Sequence, residues 1–480
     1  MSGKLKPGMI AIAIGTAAAA LAACGDRLTV PNFQNPTVTS ISADPIAAIP
    51  LLATGVLRDD RGAYVTYVRD VGILGREVYN YTPTEGRNTS GYLTSDVNNQ
   101  ASFGATSGGG FASQYFTVRD AFNTRTVLDA SGAAFTDAQK SALKGLLDTQ
   151  VALALLYVID TRHNLGAPVE VSADPTKLFP FVPRDSVFSY ITNLLNTAQT
   201  ELAAGGTSFP FTLPSGYTGF TTPATFVKFN RAIAARVFAY RASLGSSGCG
   251  AAKSAACYQL ALTALGSSFL DPAASLATGV FDVYSAASGD IANANANQAT
   301  VNVVAHAKSD SGIMSKADGT LDNRFLKKFV KLSTPKAAPT NIAAVPTNWD
   351  FTIYDARTDP IAIIRNEELI LLRAEARYYT GDQAGALTDI NTIRTVSGGL
   401  AARGAFASES DFLDELLYNR RESLVFEGHR WIDMRRFGRI NLLTLDLPSH
   451  VIATQLPVPQ AECLARANAS ADLQGPGCSK

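Results

Sequence analysis

The sequence predicts an all-α fold, an α-α superhelix of packed helix pairs with long irregular loops and few short strands. Three observations carry this. Segments whose apolar residues recur at spacings of three and four follow one another along most of the chain. Short turns join neighbouring segments, giving antiparallel helix pairs of the kind that build tetratricopeptide-like arrays. Strand-like stretches are few, and Pro335, Pro339, Pro346 and Pro360 break the region where they occur. No fixed-period repeat is visible, so the architecture rests on helix pairing.

At the N-terminus, Lys4 and Lys6 precede an apolar, alanine-rich stretch ending in Leu21-Ala22-Ala23-Cys24. A basic start, a short apolar core and small residues before a cleavage point describe a secretory signal. The stretch is too short and too poor in large apolar residues for a membrane span, which needs about 20 of them. Leu-Ala-Ala-Cys resembles a bacterial lipobox, which makes Cys24 the lipidated first residue of the mature chain. The expected organisation is a signal peptide over 1–23, a lipidated tether over 24–40 and a single helical domain over 41–480, with a signature region at 360–440. No later segment reads as an apolar run able to cross a bilayer.

Residues 45–75 read as a helical pair broken near Arg61-Gly62. From 79 to 110 the chain turns polar, with Tyr79, Tyr81, Tyr92 and Phe103 interspersed, and reads as a long irregular loop. Helical patterns follow at 113–130, 137–162, 184–202 (after Pro183, a good first-turn residue), 223–244 and 253–265. The alternating Ala-Asn run at 292–297 reads as a solvated loop. Short strands are expected at 323–331 and 351–354, without a sheet. Beyond them, Leu369, Leu372, Ala376 and Tyr379 mark one helix face; Gly381-Asp382 ends that helix and caps the next, which carries Ala386, Ile390 and Ile393. A third helix over 409–427 aligns Leu413, Leu417 and Leu424. Gly428 interrupts it before Trp431, which is expected in the core.

Composition bounds the function. Lys+Arg and Asp+Glu both number 41, so there is no basic footprint for nucleic acid. With 46% hydrophobic and 17% charged residues, the chain is a folded globular protein. Setting Cys24 aside leaves Cys249, Cys257, Cys463 and Cys478. Four cysteines allow three pairings and the sequence does not choose among them; the two local bridges, which close short loops, are preferred. Export suits disulfides. Neither pair has C-x-x-C spacing and no histidine is close, so no metal site is expected.

Glu367, Glu368, Glu375, Glu422, Glu427 and Asp433 invite a glycosidase reading, with paired carboxylates as acid and base. Arg365, Arg373, Arg421, Arg430 and Arg435 are interleaved with them. Carboxylates facing arginines are held ionised, which suits a structural network better than a general acid. His429 lies at a helix junction, and His163, His306 and His450 show no ligand spacing. No nucleophile elbow, phosphate loop or dinucleotide fingerprint occurs. No catalytic residue and no cofactor is expected.

Two blocks carry a family resemblance. One is R-N-E-E-L-I-L-L-R-A-E-A-R-Y-Y-T-G-D-Q-A-G-A-L-T-D-I-N-T-I-R, from Arg365 to Arg394. The other is N-R-R-E-S-L-V-F-E-G-H-R-W-I-D-M-R-R-F-G-R, from Asn419 to Arg439. Together they resemble the C-terminal signature of the SusD/RagB family of nutrient-uptake outer-membrane lipoproteins. Leu74-Gly75-Arg76-Glu77, the aromatic helix start at 115–123, and Asn323-Arg324-Phe325 followed by Lys327-Lys328-Phe329 are similar to further family segments. The resemblance implies a surface-exposed subunit, lipid-anchored in the outer membrane, that binds without hydrolysing. It would capture an oligosaccharide or peptide and act as lid on a SusC-like TonB-dependent transporter. Carbohydrate-binding members display tryptophans, and this chain has only two. The candidate ligand residues are therefore Tyr79, Tyr81, Arg87, Asn88, Tyr92, Asn98 and Trp349, which combine ring faces with directional polar groups. An extracytoplasmic glycan hydrolase and a tetratricopeptide-like scaffold lipoprotein without a small-molecule ligand are the alternatives.

Overall fold

The computed structural model describes residues 44–106, 108–174, 176–245, 248–296 and 303–478. The signal, Cys24 and the tether lie outside them. Helix α1 (Pro45–Leu74) starts on a proline and is capped by Asp44, whose side chain accepts from Ala47 N at 3.2 Å. The break expected near Arg61-Gly62 is absent, and α1 runs on for 30 residues. Arg61 turns outward to donate to Val283 O and to pair with Asp290. Gly62 leaves room for Ile291, whose Cδ1 would lie 3.0 Å from a Cβ there. The Arg-Gly pair thus marks a packing contact and not a turn.

The long helices follow as the periodicity predicts: α4 (Phe111–Ala130), α5 (Asp137–Arg162), α6 (Arg184–Ala203), α7 (Pro223–Leu244) and α8 (Ala255–Gly266). Capping boxes at Thr136–Gln139 and Thr222–Thr225 set the starts of α5 and α7. Each helix packs on the next, α1 on α4, α4 on α5, and so on to α8. The array continues with α10 (Asn366–Tyr379), α11 (Gln383–Thr392) and α12 (Glu409–Ser423), α8 packing on α10. The chain is therefore a superhelix of helix pairs. Residues 137–165 turn out long and apolar enough to span a bilayer, against the sequence expectation, but 89% of that apolar window is buried inside the protein. Its apolarity serves packing against α1, α4, α6 and α7.

The polar segment after α1 is less irregular than its composition suggested. It forms strand β1 (Val78–Asn80) and the short helices α2 (Arg87–Leu93) and α3 (Phe103–Thr106). The expected strand at 323–331 begins as a helix, α9 (Asn323–Lys328), capped by Asp322, and only then extends into β4 (Phe329–Lys336). Strands also pair where no sheet was expected, because each ladder is only two strands wide. β1 joins β3 (Val303–Ala305), β2 (Gly279–Asp282) joins β6 (Ile361–Arg365), and β4 joins β5 (Thr347–Phe351), all antiparallel. Of the Ala-Asn run, Asn293 and Asn295 are buried, donating to Asp359 O at 2.8 Å and Val65 O at 3.0 Å. Its alternation places amides inward as backbone partners, which composition alone does not reveal. Trp431, at the start of α13 (Arg430–Arg436), is fully buried and donates to Ala453 O at 2.8 Å.

Candidate functional site

Three glycines prepare the site. Gly109 and Gly110 have φ of 64° and 67°, and a Cβ on Gly110 would come 3.0 Å from Ala63 O while one on Gly109 would strike Thr161. The chain thereby crosses α1 and α5 closely and enters α4 with Phe111, Tyr115 and Phe116 on its first turns. Fully buried Arg162 donates to Ala105 O and Gly108 O at 3.2–3.3 Å and lies 4.7 Å over the Phe111 ring. Phe111 and Tyr115 pack at 5.0 Å, and the Tyr115 hydroxyl donates to Pro168 O at 2.7 Å.

These rings form one wall of a cleft of about 360 Å³. Val171, Leu178 and Phe179 close the far side, and α14 (Gln460–Ala465) with Arg466 forms the third. Phe116 keeps 61% of its surface exposed, the largest free aromatic face here. Polar groups ring the apolar floor. Lys177 lies 4.9 Å over Phe179, Arg119 donates to Ser172 O, and Arg466 bridges Glu462, Phe179 O and Leu473 O.

A second cleft of about 490 Å³ flanks the same 457–462 segment. Asn98, Asn99, Gln100, Gln455 and Gln460 line it, together with Pro476 and Gly477. Gln100 holds its edges: its side chain donates to Gly477 O at 2.6 Å, and its carbonyl accepts from Gln460 N at 3.0 Å. The disulfide Cys463–Cys478 ties α14 to the tail that forms this wall, and a second disulfide joins Cys249 to Cys257. Aromatic faces beside a row of amides suit a ligand with apolar ring faces and many hydroxyl or amide groups.

Of the sequence candidates, Asn98 lines the amide cleft. Arg87 is exposed and pairs with Glu85 at 2.6–2.7 Å, and Asn88 is half-buried beside it. The remaining candidates are corrected by the structure: Tyr79, Tyr81, Tyr92 and Trp349 do not form a stacking platform. Tyr79 and Tyr81 stack on each other at 5.7 Å, with their hydroxyls on Asp446 and Val345 O. Tyr92 is fully buried, and Trp349, 9% exposed, packs edge-on against Phe325 at 4.9 Å. Large rings in a polar stretch were needed to fill the space between short helices. Sequence reasoning passed over Phe111, Phe116 and Phe179; the cluster F-A-S-Q-Y-F directly after a Gly triplet was the available signal.

The signature carboxylates sit in an arginine network. Arg236 grips Glu368 at 2.6–2.7 Å, and Arg436 joins Glu375 at 2.5–2.7 Å to Asp433 at 2.9 Å. Arg420 also holds Asp433, while Arg365 pairs with Glu367 and Glu427. Burial opposes the charge on Glu367, but Arg365, Lys328 and the Ser423 hydroxyl outweigh it and hold the carboxyl at about 2. Burial likewise opposes Asp433, and Arg420 with Arg436 draws it below the usual range. Two expected partners differ: Arg430 donates to Gly75 O, and Arg435 to Asp160 O and Thr454 O, so both serve backbone carbonyls. His429 is buried, and burial with Arg236 and Arg420 nearby keeps its ring neutral. Among the described residues, no group of three or more His, Cys, Asp or Glu side chains could hold a metal ion.

The fold is shared with solved structures. A SusD superfamily protein from Bacteroides vulgatus ATCC 8482 superposes with a TM-score of 0.62 at 14% identity, over 88% of this chain and 97% of that one. NanU of B. fragilis superposes with a TM-score of 0.63 at 15% identity, over 93% of this chain and all of that one. A SusD superfamily protein from Bacteroides thetaiotaomicron VPI-5482 gives 0.63 at 17%, over 88% and 98%. No curated protein matches the sequence. The sequence profile of the SusD family matches residues 276–472, which include both signature blocks. Sequence pattern and fold point the same way: residues 276–472 match the SusD family, and most of the chain shares the fold of SusD superfamily structures.

Proposed function

We propose that the protein is a surface-anchored nutrient-binding subunit that captures an oligosaccharide and acts as lid on a SusC-like TonB-dependent transporter. In this reading residues 1–23 are a cleaved signal, Cys24 carries the lipid, and 24–40 tether a single helical domain at the outer membrane. The observation that carries it is the pair of clefts along 457–462, one lined by exposed and half-buried rings and the other by five amides. Sugar rings stack on the first kind of surface and hydrogen-bond to the second. The signature carboxylates, which a hydrolase reading would need, are committed to arginines. The apolar lining of the first cleft favours a peptide as the second reading of the cargo.

The test is calorimetric titration of the mature chain with size-fractionated oligosaccharides and, in parallel, a tryptic peptide mixture. Phe116→Ala is expected to weaken binding about tenfold, the worth of one ring contact of about 1.4 kcal/mol. Its thermal midpoint should not move, because Phe116 is 61% exposed. Saturable binding that Phe116→Ala leaves unchanged would remove the ligand from this cleft.

A further inference from the structure

A third cavity, of about 310 Å³, lies between the first half of α1, the turn at 214–217 and strand β2. Its lining includes Arg58, Arg61, Tyr217, Asp282 and Asp290, so it shares no residue with the two clefts above. Asp282 is only 4% exposed, yet its Oδ2 has no hydrogen-bond partner among the described residues. Asp60, 1% exposed on α1, leaves Oδ1 without one, and its charge pushes the Asp282 carboxyl up after burial has already done so. Gln150, fully buried, donates its amide to the Tyr217 hydroxyl at 2.9 Å and leaves Oε1 unpartnered.

Buried acceptors without donors are costly, each by about 1–3 kcal/mol, and natural proteins keep few of them. Of these three acceptors the Asp282 oxygen belongs to the cavity lining, while Asp60 and Gln150 stand behind it, next to Asp282 and Tyr217. Arg61 does not satisfy them: its Nη atoms go to Val283 O and Asp290, and its Nε makes no hydrogen bond among the described residues. Two carboxylates are a thin donor set for calcium, which takes about six to eight oxygens. A primary ammonium group, a compact donor with one positive charge, matches a buried carboxyl on the lining that lacks a donor. At the rim, Arg58 is half exposed and its guanidinium lies 3.6 Å from Asp59, leaving donors for an anionic group. A cavity of this volume is at the lower end for ligand sites, which suits a small molecule.

We propose that this cavity is a second binding site, for a small amino acid-like molecule whose primary ammonium is held by Asp282, with Asp60 and Gln150 behind it, and whose carboxylate faces Arg58. The site is separate from the cargo clefts, so its ligand acts as an effector or a companion to the cargo.

Glycine, β-alanine and 4-aminobutyrate are the probes, titrated calorimetrically into the mature chain. At least one should bind saturably at about 10 mM, where a Kd of about 1 mM is near saturation. Asp282→Asn keeps the shape and removes the charge, and should weaken binding at least about tenfold; Arg58→Ala should weaken it by a smaller factor. Phe116→Ala should leave it unchanged, which separates this site from the cargo cleft. Should Asp282→Asn fail to fold, Arg58→Ala at a half-exposed position still decides. No saturable heat with any of the three probes, or binding that both variants leave intact, overturns the proposal.

Discussion

Glu77 stands 4% exposed at the foot of α1, accepting from Phe426 N at 3.2 Å through Oε1, with Oε2 unpartnered. Burial pushes its carboxyl up to about 8 from 4.5, against the pull of Arg430 and the Phe426 N–H. Folding therefore keeps a proton that the unfolded chain releases above about pH 4.5. That contribution is present below pH 4.5, is lost as pH rises from there to about 8, and does not change further above it. Glu77→Gln mimics the protonated form. Urea unfolding should find it close to wild type at pH 5 and more stable by a few kcal/mol at pH 9. Arg236 makes the opposite kind of contact. Its guanidinium and the Glu368 carboxylate are 3% and 1% exposed, so removing one leaves the other buried and alone. Arg236→Met should cost about 3–5 kcal/mol in the same assay, where a buried pair has been broken. Arg87→Ala, which breaks the exposed Glu85 pair, should show no measurable change. Such ionic roles were partly legible, because interleaved Arg and Glu announce a network. Which arginine meets which carboxylate was not: Arg236 lies far from the signature in sequence, and Arg430 and Arg435 serve carbonyls instead.

At the scale of elements, apolar periodicity located helices α4 to α8 and α10 to α12 because each buries one face against its neighbours. It failed where local sequence and packing disagree. Arg61-Gly62 looks like a break but is a contact point, and α2 and α3 are too short for a period to register. The two-stranded ladders escaped notice for the same reason. The clefts were illegible as a unit, since residues near 98–119, 168–179 and 455–477 meet only in the fold. Asn98 and the aromatic start of α4 were the fragments within reach. The Cys463–Cys478 disulfide holds the last of these segments in place, closing a loop with a sequence separation of 15. Replacing both cysteines by serine should cost about 3 kcal/mol of stability, as expected for a loop of that length. It should also weaken cargo binding in the amide cleft while leaving the proposed amino acid site unaffected. Unfolding and titration of the one double variant read both effects.

For the whole molecule, the superhelix supplies a rigid scaffold, and the loops and tail at one face supply the clefts. The match to the SusD family over residues 276–472 and the Leu-Ala-Ala-Cys motif ending at Cys24 direct the central proposal outside the chain itself, to a pairing with a transporter barrel. The most direct measurement is gentle solubilisation of the lipidated protein from its native outer membrane, with affinity capture and identification of what accompanies it. The account predicts a TonB-dependent barrel in stoichiometric amount. Repeated capture of the protein alone, with cross-linking before solubilisation, would contradict it.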